Sequence, residues 1–125
     1  MIEKKQQINN EQLKLIPKLE EYIQYMLEII LKIPRTEKFN IGNEYKNSMY
    51  SMLENVIYIS KIKEEERINI INKIDAKLNC QRIYLRIMYK NKWIDEKKFK
   101  VAISKISEIG KIVGGLIKYY AKNNI

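Results

Sequence analysis

The side chains that most often carry out catalysis are scarce in this sequence. There is no histidine, which removes the commonest general base and the commonest metal ligand. Cys80 is the only cysteine, so no zinc site is expected, and without a histidine to activate it we expect an inert, buried thiol. The carboxylates at positions 20–21 and 64–66 are sequence neighbours that diverge on a helix. We therefore predict no enzymatic activity, no metal, no cofactor and no small-molecule substrate.

Cations are the most promising functional groups, and one set is regularly spaced. Arg82, Arg86 and Lys90 follow one another at steps of four residues, which places them on one side of an α-helix. Arginine offers a planar fork of donors and lysine a point charge, and several together release condensed counterions from a nucleic acid. The row predicts phosphate binding. Pairing of the two arginines with carboxylates of a neighbouring helix or subunit is the open alternative.

A second basic surface is predicted on the last helix. At about 100° per residue, four lysines lie within ~40° of Lys111 around the helix axis. Together with Lys111 they form a stripe: Lys97, Lys100, Lys111, Lys118 and Lys122. Glu108 is the only acid near this stripe, and the opposite arc is a normal apolar core face. The stripe predicts a solvated surface that binds the phosphates of RNA and/or DNA.

Two glycines fall four residues apart within the same helix, at positions 110 and 114. Each costs roughly 1 kcal/mol relative to alanine inside a helix, so something must offset the loss. Close approach of another helix backbone is the usual reason, and we predict a helix-packing role for Gly110 and Gly114. A phosphate-binding glycine loop would need a preceding strand and a helix start, which this segment lacks.

The net charge of +9 is confined to the second half of the chain. Residues 1–60 contain 8 basic and 8 acidic side chains, whereas residues 61–125 contain 16 and 7. Segregation of one sign of charge favours a surface that faces a polyanion. Ordinary lysine usage in an AT-rich genome is the alternative explanation.

The elements that must position these residues are predicted to be helices only. Apolar residues recur at spacings of three and four, and glycine and proline are rare, which indicates helices at about 17–33, 40–62, 64–90 and 95–122. Short connections between long helices favour an all-α, antiparallel up-down-up-down four-helix bundle. We assign residues 1–12 to a flexible N-terminal tail and residues 13–125 to the bundle.

The third predicted helix has more apolar surface than one core requires. Cys80, Ile83, Tyr84 and Ile87 lie outside its core line. A bundle helix needs only one buried stripe, so the second one predicts self-association into a homo-oligomer.

A cytoplasmic protein is expected. The N-terminus is too polar for a signal peptide, and the lone cysteine cannot form an internal disulfide. No apolar run approaches the ~20 residues needed to span a bilayer. Membrane docking through the last helix is the least favoured hypothesis, because the bundle needs that apolar face for its own core.

Two motifs carry a family resemblance. The run Ile33-Pro34-Arg35 followed by Ile41-Gly42, and the run from Ser107 to Ile117, resemble the accessory variability determinant of diversity-generating retroelements over about residues 17–122. The resemblance implies a four-helix bundle that assembles as a barrel-like homopentamer and binds nucleic acid and the retroelement's reverse transcriptase. In that role it would support mutagenic retrohoming, the complementary-DNA synthesis that diversifies a target gene.

A sister family of the same bundle is encoded in intervening sequences of large-subunit ribosomal RNA. It carries an Asn-Ile-Ala-Glu-Gly segment in its second helix, whereas residues 53–59 here read Leu-Glu-Asn-Val-Ile-Tyr-Ile. The difference favours the retroelement branch and leaves the other open. The alternative function is therefore an intervening-sequence-type bundle that acts as a structural or protein-interaction module without binding nucleic acid.

Overall fold

Helices account for nearly all of the backbone. A computed structural model describes residues 2–123, apart from the side chains of residues 2–4, 7–9 and 123, so the outermost residues of the predicted tail and bundle lie outside it. The helices are α1 Ile2–Leu31, α2 Arg35–Lys38, α3 Ile41–Ile59, α4 Glu64–Lys90 and α5 Glu96–Asn123. Each of the four long helices packs against two neighbours, in the order α1, α3, α4, α5 and back to α1. The predicted all-α four-helix bundle is confirmed.

The first helix begins earlier than the sequence pattern indicated. α1 starts at Ile2, so the predicted start near position 17 was wrong. Two interactions extend the packed part of α1 toward the N-terminus: Leu15 is buried, and Nε2 of Gln12 donates a hydrogen bond to the hydroxyl of Tyr120. The segment predicted as a flexible tail is thus helical from Ile2, and its flexibility stays a prediction.

The other helix ends follow local chemistry. α1 ends at Leu31, shortly before Pro34, which disfavours helical geometry in the residue that precedes it. α4 spans the predicted 64–90, with three glutamates in its first turn, where the helix dipole favours negative charge. α5 begins after Asp95, whose Oδ1 accepts a hydrogen bond of 2.8 Å from the backbone N–H of Lys98, as expected of an N-cap.

One apolar core fills the space between the long helices. Its fully buried side chains come from all four of them: Leu19, Tyr22 and Met26 of α1, Tyr45, Met49 and Met52 of α3, Ile71, Ile74, Leu78 and Leu85 of α4, and Ile106, Val113 and Leu116 of α5. They recur at three- and four-residue spacing, which is the periodicity of one helix face. Within residues 2–123, no helix combines the length and the hydropathy needed to cross a membrane.

A polar network crosses this core. Tyr22 donates a hydrogen bond of 2.8 Å to Oε1 of Gln81, the hydroxyls of Tyr22 and Tyr45 are 2.6 Å apart, and Nε2 of Gln81 donates to Ser48 Oγ at 3.0 Å. Because Tyr22 donates to Gln81, Tyr45 must donate to Tyr22. Burial raises the pKa of both tyrosines above the ordinary value. The network ties α1, α3 and α4 together through groups that strongly favour the neutral state.

The outer side of α4 is apolar and exposed. Ala76, Cys80, Ile83 and Ile87, here called the α4 seam, follow at steps of four, three and four residues. Ile83 is 51% exposed and Ile87 39% exposed. The prediction that Cys80 is buried was wrong, because the apolar residues around it belong to this exposed side rather than to the core.

Candidate nucleic-acid interface

Arg82 lies at the contact between α4 and α5. Its Nη2 is 2.8 Å from the position that a Cβ would occupy at Gly110, so the missing side chain leaves room for the guanidinium. The Nε of Arg82 is buried and has no hydrogen-bond partner among the described residues. An unpartnered donor is costly to bury, and a phosphate oxygen is the kind of acceptor that a guanidinium binds strongly. The groove between α4 and α5 therefore presents a half-buried cation.

The rest of the predicted α4 row is open to solvent. Arg86 and Lys90 are exposed, one and two helical turns beyond Arg82. Neither Arg82 nor Arg86 forms an ion pair with another described residue. The alternative in which these arginines pair with a neighbouring helix is thus not seen within residues 2–123, whereas pairing with another subunit stays a prediction.

The lysines predicted to form a stripe all lie on the exposed side of α5. This α5 stripe consists of Lys97, Lys100, Lys111, Lys118 and Lys122. Lys100 pairs with Glu96 at 3.1 Å, and both side chains are exposed. Such a pair on a helix surface contributes about 0.3–0.5 kcal/mol, so a phosphate can readily replace it. The other four lysines form no ion pair with the described part of the chain.

Besides Glu96, a second acid beside the α5 stripe is also paired. Glu108 Oε2 is 3.1 Å from Nζ of Lys18 in α1. The Glu108 carboxylate is therefore paired with Lys18 on the side of α5 that faces α1. It offsets less of the positive charge of the stripe than the sequence alone suggests.

Lysine has a different use on the side of α5 that packs against α1. Lys105 is half-buried, its Nζ is 2.8 Å from Glu21 Oε1, and it lies 5.4 Å from the centre of the Tyr25 ring. The hydrogen bond and charge of Lys105 lower the pKa of Glu21. This lysine links two helices, whereas no lysine of the α5 stripe forms an ion pair with another helix among the described residues.

The α4 row and the α5 stripe lie on adjacent helices. Arg82 contacts Gly110, the residue that precedes Lys111 of the stripe, so the two sets meet along the α4–α5 contact. We call their combined surface the basic face. It can bind phosphates through the flexible point charges of its lysines and the forked guanidinium groups of its arginines.

The two glycines predicted to pack helices differ in their surroundings. At Gly110 the nearest atoms belong to the side chains of Arg82 and Leu78 rather than to a helix backbone. At Gly114 no atom of another described segment lies within 4 Å of a Cβ position. Helix packing at Gly114 therefore needs a neighbour from outside this chain and stays a prediction.

Gln81 is a structural residue that the sequence reasoning missed. It is fully buried beside Arg82 and holds the polar network of the core. Its position, three residues after Leu78 and four before Leu85, continues the core line and could have revealed it. Among the described residues, no group of three or more histidine, cysteine, aspartate or glutamate side chains could hold a metal ion.

Comparison with known proteins relates the chain to two groups. A family model described as bAvd-like matches residues 11–120. The crystal structure of a protein of unknown function from the S23 ribosomal protein family of Bacteroides thetaiotaomicron superposes with a TM-score of 0.78, covering 86% of this chain and 98% of that one. The two sequences are 16% identical, so the likeness shows a shared fold. No curated protein matches the sequence.

Proposed function

The chain belongs to the bAvd-like family, as the resemblance of its motifs predicted, and we propose that it is the nucleic-acid-binding accessory subunit of a diversity-generating retroelement. Membership of this family implies an accessory role in such an element, and the family is generally non-catalytic. In the proposed role the protein binds the reverse transcriptase together with its RNA or complementary DNA. It thereby supports mutagenic retrohoming.

One observation carries the proposal: the cations of the basic face are almost all unpaired. Of its eight side chains, only Lys100 forms an ion pair among the described residues. Lysines elsewhere on α5 have carboxylate partners, as Lys105 does with Glu21. Charges left free on one side of the bundle are available to an external polyanion, and each phosphate they neutralise releases condensed counterions.

The chemistry of the face favours binding that does not depend on sequence. Lysines on a helix surface contact phosphates, which position a nucleic acid but carry no sequence information. An accessory subunit in mutagenic synthesis must accept strands whose sequence keeps changing. A phosphate-binding surface meets that requirement better than a base-reading one.

The α4 seam supports the proposed homo-oligomer. Its four residues repeat every three or four positions, the spacing with which one helix packs along another. Exposed isoleucines at two of these positions would leave water on association. We propose that a second copy covers the seam and that five copies close into the pentamer that the resemblance implies. Closure would present several basic faces to one nucleic acid and raise its overall affinity.

The proposal is tested by titrating labelled RNA, DNA and RNA–DNA hybrid with the purified protein at several salt concentrations. We expect binding to all three that weakens by orders of magnitude between about 50 and 200 mM salt, as for proteins that make several phosphate contacts. Co-purification with the reverse transcriptase encoded beside the gene tests the partner separately. Absence of nucleic-acid binding even at low salt would contradict the proposal and favour the alternative of a protein-interaction module.

A further inference from the structure

The turn between α4 and α5 has an unusual residue at its centre. The backbone N–H of Lys92 bonds to the carbonyl of Tyr89 at 3.0 Å, and that of Trp93 bonds to the carbonyl of Met88 at 2.9 Å. These are the two hydrogen bonds of a Schellman motif, in which the residue at the position of Lys92 is usually glycine. Lys92 instead holds a φ of 62°, in the left-handed region that favours glycine. Strain of this kind is concentrated at functional sites.

A cavity opens directly beside this turn. It has a volume of about 480 Å³, within the range of ligand sites. Its lining comprises two aromatic rings, three cations, two isoleucines and one acid: Tyr89, Trp93, Lys32, Lys92, Lys98, Ile29, Ile94 and Asp95. The acid is already engaged, since Asp95 caps α5 and lies 3.9 Å from Nζ of Lys98. The cavity therefore combines aromatic surface with an excess of positive charge.

The two aromatic rings are available to different degrees. Tyr89 stacks on Phe99 with ring centres 4.5 Å apart, so one of its faces is covered. Trp93 is half-buried and forms no ring contact with any described residue. Trp93 packs against the apolar core on one side, and the rest of its ring is partly exposed. A planar, partly exposed ring beside several lysines suits a nucleobase, which stacks, and its phosphates, which bind the ammonium groups. A bare phosphate would not need the ring.

The cavity also lies at the end of the α4 row. Lys90 is the last residue of α4 and comes two positions before Lys92. A strand that follows the basic face along α4 would therefore reach the cavity at the end of the bundle. We propose that the cavity receives an unstacked base of single-stranded RNA or DNA, with Trp93 stacking on the base and Lys92 contacting its phosphate. This inference rests on the proposed function.

The cavity proposal predicts a preference for single strands over duplexes, which the basic face alone does not predict. A closed duplex without free ends has no unstacked base to offer, whereas a single strand has many. The single tryptophan of the chain reports occupancy of the cavity directly. We expect a 12-nucleotide single strand to quench Trp93 emission and to protect it from acrylamide, while a dumbbell duplex binds without either effect.

Two variants and one control distinguish a role of the cavity in binding from a role in folding. Trp93→Leu is expected to weaken single-strand binding by roughly tenfold, in the range that loss of one base–aromatic stack gives, and to leave duplex binding within about twofold. Tyr58→Leu, which removes an exposed ring from α3, is the matched control and should change neither affinity. Lys92→Gly should raise the melting temperature by relieving the strained φ and yet weaken single-strand binding, a combination that a purely structural role would not produce.

The outcomes of these experiments distinguish failure of the cavity proposal from failure of the proposed function. Equal binding of single strand and duplex with unchanged Trp93 emission would overturn the cavity proposal and leave the basic face standing. A Trp93 response to the reverse transcriptase but not to nucleic acid would also overturn it and make the cavity a protein contact. No binding of either nucleic acid at low salt would remove the proposed function and this inference together.

Discussion

Arg82 and Gly110 form a complementary pair across the α4–α5 contact. A methyl group at Gly110 would lie 2.8 Å from Nη2, which is the far end of a flexible side chain. We predict that Gly110→Ala displaces the guanidinium and weakens nucleic-acid binding severalfold. Stability should stay the same or rise by up to about 1 kcal/mol, because alanine is the better helix former. Anisotropy titrations and urea unfolding measure the two effects.

Gly115→Ala, one residue beyond the predicted packing position Gly114, is the control for this substitution. The same methyl group would meet no atom of another described segment within 4 Å, so only the gain in helix propensity is expected within the chain. Equal nucleic-acid affinities for the two alanine variants would show that the placement of Arg82 is unimportant for binding.

The buried tyrosines make stability depend on alkaline pH. Burial raises the pKa of Tyr22 and Tyr45 above the unfolded value of about 10. The stability that these neutral hydroxyls contribute is therefore fully present below about pH 10 and is lost as the pH rises toward the higher folded values. Tyr22→Phe should cost about 1–3 kcal/mol at pH 8, since Gln81 loses a donor, and should make the alkaline loss shallower.

Urea unfolding at pH 8 to 11 measures both effects of Tyr22→Phe. The control is Tyr58→Phe, which changes an exposed hydroxyl on α3 and should leave the alkaline loss of stability as in the wild type. Identical alkaline slopes for the two variants would contradict the assignment of the pH dependence to the buried network.

At the scale of the helix, the α4 seam is the exposed apolar surface for which a second copy is proposed as the partner. We predict that the double substitution Ile83→Lys and Ile87→Lys reduces the mass measured by light scattering from that of the proposed pentamer to that of one or two subunits. Both side chains are exposed in the single chain, so the fold itself should survive. Ile57→Lys, on α3, is the control and should leave the mass unchanged. A double variant with the wild-type mass would place the subunit contact elsewhere.

The helices could be predicted where apolar periodicity and capping residues agree. The bounds of α4 follow from its glutamates and its periodic core line, and the start of α5 follows from Asp95. The start of α1 could not be found in this way, because the interaction that extends it joins Gln12 to Tyr120, at the opposite end of the sequence. Tertiary contacts of this kind leave no local signal.

The candidate site could also be predicted only in part, because spacing along one helix does not reveal contacts between helices. A helical wheel places the α5 stripe on one exposed side, since that follows from spacing alone. It could not show that Glu108 pairs with Lys18 or that Arg82 lies over Gly110, because each contact joins two helices. The exposure of Cys80 was missed because an apolar stretch does not reveal which of its sides meets the core.

At the scale of the whole molecule, the bundle separates two tasks. α1 and the adjoining side of α5 hold paired charges such as Lys105 with Glu21, which serve the packing of helices. The basic face on α4 and the outer side of α5 leaves all of its charges except that of Lys100 unpaired among the described residues. The surplus positive charge of the chain thus lies where a polyanion can reach it.

The salt dependence of binding most directly tests whether the basic face binds phosphates. We would compare the double variant Lys111→Gln and Lys118→Gln with the control Lys38→Gln and Lys46→Gln, which changes α2 and the helix diagonal to α5. Each lost phosphate contact on duplex DNA should reduce the slope of log affinity against log salt by about 0.9. We expect a slope shallower by about 1.8 per subunit engaged for the stripe variant and an unchanged slope for the control. Equal slopes for both variants and the wild type would contradict phosphate binding by this face.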